Sequence, residues 1–104
     1  MPSQPSHPVP VPAGVEHVSE WNDAAPTPYR ILHGPNRGVE GHDLVVWTTA
    51  GQSADGRIDV DQEPPTMRID VLWERGLTSG QARELAAVLI EGADDIDRWV
   101  KATG

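Results

Sequence analysis

The chain has no cysteine, no phenylalanine, one tyrosine and one lysine, and no apolar run approaching the roughly 20 residues that cross a bilayer. The missing cysteines exclude disulfides and thiolate metal sites. Positive charge is scarce as well: eight basic against sixteen acidic residues give a formal charge of −8. Phosphate backbones are held by clustered Lys and Arg, so direct nucleic-acid binding is not expected. The opening MPSQPSHPVPVPAGV carries neither the basic region nor the apolar core of a leader, and a cytoplasmic protein without membrane attachment is the expectation. At 104 residues the chain is sized for one domain with a thin core and no large internal cavity.

What is present falls into three stretches. Prolines at 2, 5, 8, 10 and 12 favour extended polyproline-like chain and forbid helix, so residues 1–14 are expected to be a disordered Pro-rich tail, with 15–104 a single α+β domain. A polyproline ligand for a partner's aromatic groove is the sharper reading of the tail, but no basic residue flanks its prolines. Residues 29–33 read as a short strand stopped by Gly34-Pro35-Asn36. Residues 43–52, rich in β-branched side chains, read as a strand followed by the turn signal Asp55-Gly56, and either Val45 and Trp47 or Leu44 and Val46 face the core. Strict alternation over 57–61 and 67–73 predicts a further hairpin. Pairing Asp61 with Thr66 sets Asp59 opposite Arg68 and Arg57 opposite Asp70, so these charges find cross-strand partners.

The helix start is well marked. Thr78-Ser79-Gly80-Gln81 matches a capping box with Leu77 at the staple position. At 100° per residue, Ala82, Leu85, Ala86, Leu89, Ala93, Ile96 and Val100 form one stripe that is expected to pack on the sheet. Asp94 with Arg98 and Asp97 with Lys101 stand at i, i+4. A helix over about 78–101 spans roughly 36 Å against roughly 23 Å for seven-residue strands, so its last turns overhang the sheet. They are to be covered by residues 15–21 folding back or by a second copy of the chain. Gly92 costs about 1 kcal/mol in a helix and suggests close approach of another backbone on its flank. Val88, Gly92, Ile96 and Trp99 are therefore the candidate partner-binding residues.

No pattern carries catalysis. Trp21, Trp47, Trp73 and Trp99 recur at a spacing of 26, but the contexts SEWND, VVWTT, VLWER and DRWVK share nothing, so no repeat is inferred. Trp47 and Trp73 suit a sheet; Trp21 and Trp99 suit a contact surface. His7, His17, His33 and His42 have no i, i+4 partner and read as solvated loop residues. The carboxylates Asp59, Asp61, Glu63 and Asp70 match no EF-hand pattern. Neither GxSxG nor a phosphate-binding glycine motif is present, so no cofactor, no metal and no enzyme activity are expected.

The ending LTSGQARELAAVLIEGADDIDRW, with the strand TMRIDVLW before it, resembles a group of small uncharacterised actinobacterial and actinobacteriophage proteins that close with a strand and an LTxxQARxLAxxLxxxAD-type helix. The likeness covers roughly residues 66–100, and HGP at 33–35 is similar to a motif found upstream in that group. The dominance of Arg over Lys fits the same origin. Members carry a cysteine and histidine cluster that looks like a metal site; here only His17 and His33 stand in comparable places. The expected architecture is an antiparallel sheet of three or four strands with one long C-terminal helix packed on one face. The expected function is that of a small acidic accessory or regulatory protein acting by protein contact, with a homodimer through the overhanging helix end as the candidate assembly. The alternatives are a small-ligand or metal-binding protein using His17, His33 and nearby carboxylates, and an acidic mimic of nucleic acid.

Overall fold

The sheet is organised around one long strand. In a computed structural model, which describes residues 9–24, 26–71 and 75–103, the elements are β1 (His17–Val18), β2 (Tyr29–His33), β3 (Arg37–Gly38), β4 (Val45–Ser53), β5 (Thr66–Asp70) and α1 (Ser79–Thr103). All pairings are antiparallel: β4 pairs with β2, β3 and β5, and β1 adds outside β2. Thr49 is the register partner of both His33 and Thr66, and Val46 of both Arg37 and Ile69, so β2 and β3 share one edge of β4 while β5 takes the other. Gly34-Pro35-Asn36 interrupts the first edge where the sequence predicts a stop. The class is α+β, with a five-stranded antiparallel sheet and one long C-terminal helix packed against it.

Burial alternates along all nine residues of β4. Val46, Thr48, Ala50 and Gln52 face the helix, and Leu44 is buried just before them, so of the two faces open in the sequence the Leu44 and Val46 face is the core. Two apolar clusters lie under α1. Val39, Leu44 and Val46 take Leu85, Val88 and Leu89, and Leu32, Ala50, Ile58 and Trp99 take Val15, Val18 and Val100.

The hairpin predicted between 57–61 and 67–73 does not form. Asp59 N–H donates to the Gly51 carbonyl and Ser53 N–H to the Arg57 carbonyl, so residues 57–59 lie along the same edge of β4 that β5 occupies further on. Arg68 stands opposite Trp47 and Asp70 opposite Val45, replacing the predicted charge pairs. Asp59 instead accepts N–H groups from Asp61, Gln62 and Glu63 at 3.0–3.1 Å, which closes the loop and holds its carboxyl below the ordinary carboxylate range. A nine-residue strand has room for two short segments end to end on one edge, with Ile58 opposite Gln52 and β5 opposite residues 45–49. Residues 72–74, including Trp73, lie outside the described residues.

The helix starts where its capping box predicts. Thr78 N–H donates to Gln81 Oε1 at 3.0 Å and Gln81 N–H to Thr78 Oγ1 at 3.1 Å, the two reciprocal bonds of that motif. Its buried side differs from the predicted stripe by less than one residue's 100° step: Gly92, Asp95 and Trp99 are buried, with Gln81, Leu85 and Val88 half-buried above them. Asp95 lies among these, held by Arg37 Nη2 at 2.7 Å and by Arg98, so the pairing predicted between Asp94 and Arg98 is made by Asp95 instead.

Close approach at Gly34 fixes how deep the helix sits. A Cβ there would collide with Thr48 Oγ1 and lie 3.2 Å from the Trp99 ring. Gly34→Ala is expected to destabilise the domain by about 1–3 kcal/mol through overpacking, read as a lower urea midpoint with an unchanged slope.

Candidate functional site: the outer face of the sheet

The side chains of β4 that alternate with the core set point away from the helix. Val45, Trp47, Thr49, Gly51 and Ser53 are only half-buried, and among the described residues no helix or second sheet is laid over them. Cross-strand parity brings His17, Ile31 and His33 to this face from one side and Thr66, Arg68 and Asp70 from the other. At its centre the rings of His33 and Trp47 stack with centroids 5.6 Å apart and planes 15° from parallel. Trp47 is thus half-buried, with one ring face on His33 and no helix or second sheet over it among the described residues.

Two open depressions flank the stack. Glu16, His17, His33, Gly34, Pro35 and Asn36 line one of about 460 Å³. The other, of about 500 Å³, runs along Ile31, Thr49 and Gly51 between Glu63-Pro64 and Arg68. His17 and His33 are direct register partners, so the two histidines singled out in the sequence do come together, in strands and not in loops. His33 Nε2 lies 3.3 Å from Asn36 Oδ1 and donates to it when protonated there. Among the described residues, no group of three or more His, Asp or Glu side chains is placed to hold a metal ion. His42 is not a solvated loop residue: its side chain is 2 % exposed. Its Nδ1 accepts the Leu44 N–H at 3.1 Å, which leaves the proton on Nε2, 3.3 Å from the Arg75 carbonyl. His7 lies outside the described residues.

Of the four residues proposed for partner contact, Gly92 and Trp99 are buried within the chain and Val88 and Ile96 are half-buried. Trp99 is 1 % exposed and its Nε1–H donates to the Ala13 carbonyl at 3.1 Å. Gly92 is buried where a Cβ would lie 2.8 Å from Met67 Sδ and 3.3 Å from Thr48 Cγ2, so the close approach it permits is that of β4 and β5 side chains. Val88 packs on the Val39, Leu44 and Val46 cluster, and Ile96 is half-buried on the flank. Of the two covers expected for the last helical turns, the structure contains the first: Val15 and Val18 fold back onto the Trp99 cluster. At Gly92 and Trp99 the neighbouring space is taken by Met67, Thr48 and the Ala13 carbonyl.

Two interior polar residues went unnoticed in the sequence. Arg30 and Gln52 are register partners, both buried, with Arg30 Nε donating to Gln52 Oε1 at 2.8 Å. The Arg30 guanidinium also lies 4.7 Å from the centroid of the Trp21 ring, and burial lowers its pKa. The available signal was parity: Arg30 alternates with Leu32, and Gln52 with Ala50. Neither the known protein families, nor curated proteins, nor solved structures include a match to this chain.

Proposed function

We propose that this is a small acidic accessory or regulatory protein that acts by protein contact, and that it makes the contact with the outer face of its sheet around His33 and Trp47. The observation that carries this reading is the stacked, half-buried Trp47 at the centre of a sheet face with no second layer among the described residues. Aromatic residues in such positions dominate contact energies, because they bury large area with little rotamer entropy. A second copy of the chain is the partner the face suits first. It carries both signs of charge, Arg68 beside Asp70 and Glu63, so a two-fold axis can set each against its opposite. The formal charge of −8 opposes any such pairing and makes it salt-dependent.

Trp47→Ser separates this surface from the core. The variant is expected to keep its thermal unfolding midpoint within a few degrees and to lose at least about tenfold in affinity for the partner, a loss of ~1.4 kcal/mol. Loss of the fold, or unchanged association on sedimentation, would remove the face from consideration. A second reading rests on the register pairing of His17 and His33: the cleft they line with Glu16 and Asn36 suits a small ligand carrying both hydrogen-bond donors and acceptors.

A further inference from the structure

The proline-rich segment enters the fold as a strap whose carbonyls accept hydrogen bonds from three side chains. Val9 O accepts from Arg30 Nη2 at 2.9 Å, Pro10 O from Gln52 Nε2 at 3.2 Å, and Ala13 O from Trp99 Nε1 at 3.1 Å. The three donors come from β2, β4 and α1, and all three side chains are buried. Of the expected Pro-rich tail, residues 9–14 lie against the domain through these bonds, and 1–8 lie outside the described residues. Pro10 and Pro12 have no N–H to give and hold φ near about −65°, so this stretch offers carbonyls on an already extended backbone.

Buried donors aimed at backbone carbonyls, beside indole rings, are the means by which aromatic grooves hold polyproline peptides. Trp99 supplies an indole N–H, and Trp21 with its stacked Arg30 supplies a second aromatic surface. The amide of Gln52 is oriented to donate into the groove, because Oε1 is taken by Arg30 and Nε2 is thereby turned toward Pro10 O and Gly56 O. Gly14, at φ +89°, then turns the chain out of the groove toward β1 in a conformation that other residues resist.

We propose that Arg30, Gln52 and Trp99 form a polyproline-binding groove and that residues 9–14 are its tethered ligand, bound from within the same chain. The donors contact main-chain oxygens, so the groove recognises an extended proline-rich backbone with acceptors at the spacing of 9, 10 and 13. It takes the same segment as a separate peptide too, then without the effective concentration that the tether supplies.

The test uses the full chain with a protease site placed between Gly14 and Val15, studied after the cut. A labelled peptide of residues 1–14 is expected to bind the cut protein saturably by fluorescence anisotropy, in competition with the unlabelled peptide. The same peptide with its five prolines replaced by alanine is expected to bind about tenfold more weakly, having lost its pre-organisation. Trp99→Phe, which removes the N–H together with part of the ring packing, is expected to weaken the proline peptide by at least a similar factor. Equal affinity of the two peptides would overturn recognition of polyproline. Failure of the cut protein to rebind any peptide, or its unfolding once the peptide is dialysed away, would overturn the groove as a receptor and make the strap part of the core.

Discussion

Trp99→Ala is expected to destabilise the domain by about 3–5 kcal/mol, against a total of about 5–15 kcal/mol for a domain of ordinary stability. In a chain with so thin a core this leaves a large unfolded fraction at 37 °C. The ring is 1 % exposed, rests against Gly34, packs with Leu32, Ala50 and Ile58, and binds the strap through Ala13. Its loss opens a cavity under the sheet and releases the N-terminal segment in one step. Urea unfolding followed by far-ultraviolet circular dichroism measures the loss. A variant that folds with near wild-type stability would show that Trp99 is a surface residue.

The second large effect concerns a charge in the same interface. Asp95 has a side chain 5 % exposed and binds Arg37, which is 20 % exposed, across the helix and β3. Asp95→Ala leaves that guanidinium without its buried partner and is expected to cost about 3 kcal/mol. Glu91 already holds Arg37 Nε at 3.1 Å, which keeps the cost at the low end for a buried pair. The pair is not a net source of stability: replacing both residues, with Arg37→Met and Asp95→Leu together, is expected to recover most of the loss. With Arg37→Met and Asp95→Leu as the single variants, the double-mutant cycle should therefore show a coupling of about 1–3 kcal/mol. Additive losses would place Arg37 and Asp95 in separate environments.

Much of the fold was legible because it rests on local chemistry. The capping box, the strand at 29–33, the long central strand and the C-terminal helix all follow from residues within a few positions of one another. The rest depended on residues whose position contradicts their type. Gly92 and Asp95 sit on the buried side of α1 and add nothing to an apolar stripe, so the stripe points toward Leu89 and Ala93 instead of Trp99. Arg30 and Gln52 are polar residues in core positions, made tolerable by each other and by carbonyls of the strap, a relation between distant segments that periodicity does not register. The charge alternation of Arg57, Asp59, Arg68 and Asp70 suited a hairpin; the free edge of β4 decided otherwise. His17 and His33 were named in the sequence, but their meeting depends on the β1 to β2 register, and Trp47 emerged as a surface residue only once the core face of β4 was known.

The outer sheet face is the centre of the functional account, and solution mass tests it most directly. Light scattering on the unaltered chain, over a concentration series at low salt and at about 0.5 M salt, where the Debye length falls to a few ångströms, should show the mass rising from the 11.3 kDa monomer toward twice that value. The rise should come at lower protein concentration in high salt, as screening removes the repulsion between two acidic chains, and should be absent in Trp47→Ser. A mass that stays at 11.3 kDa at every concentration and both salts would contradict self-association through this face.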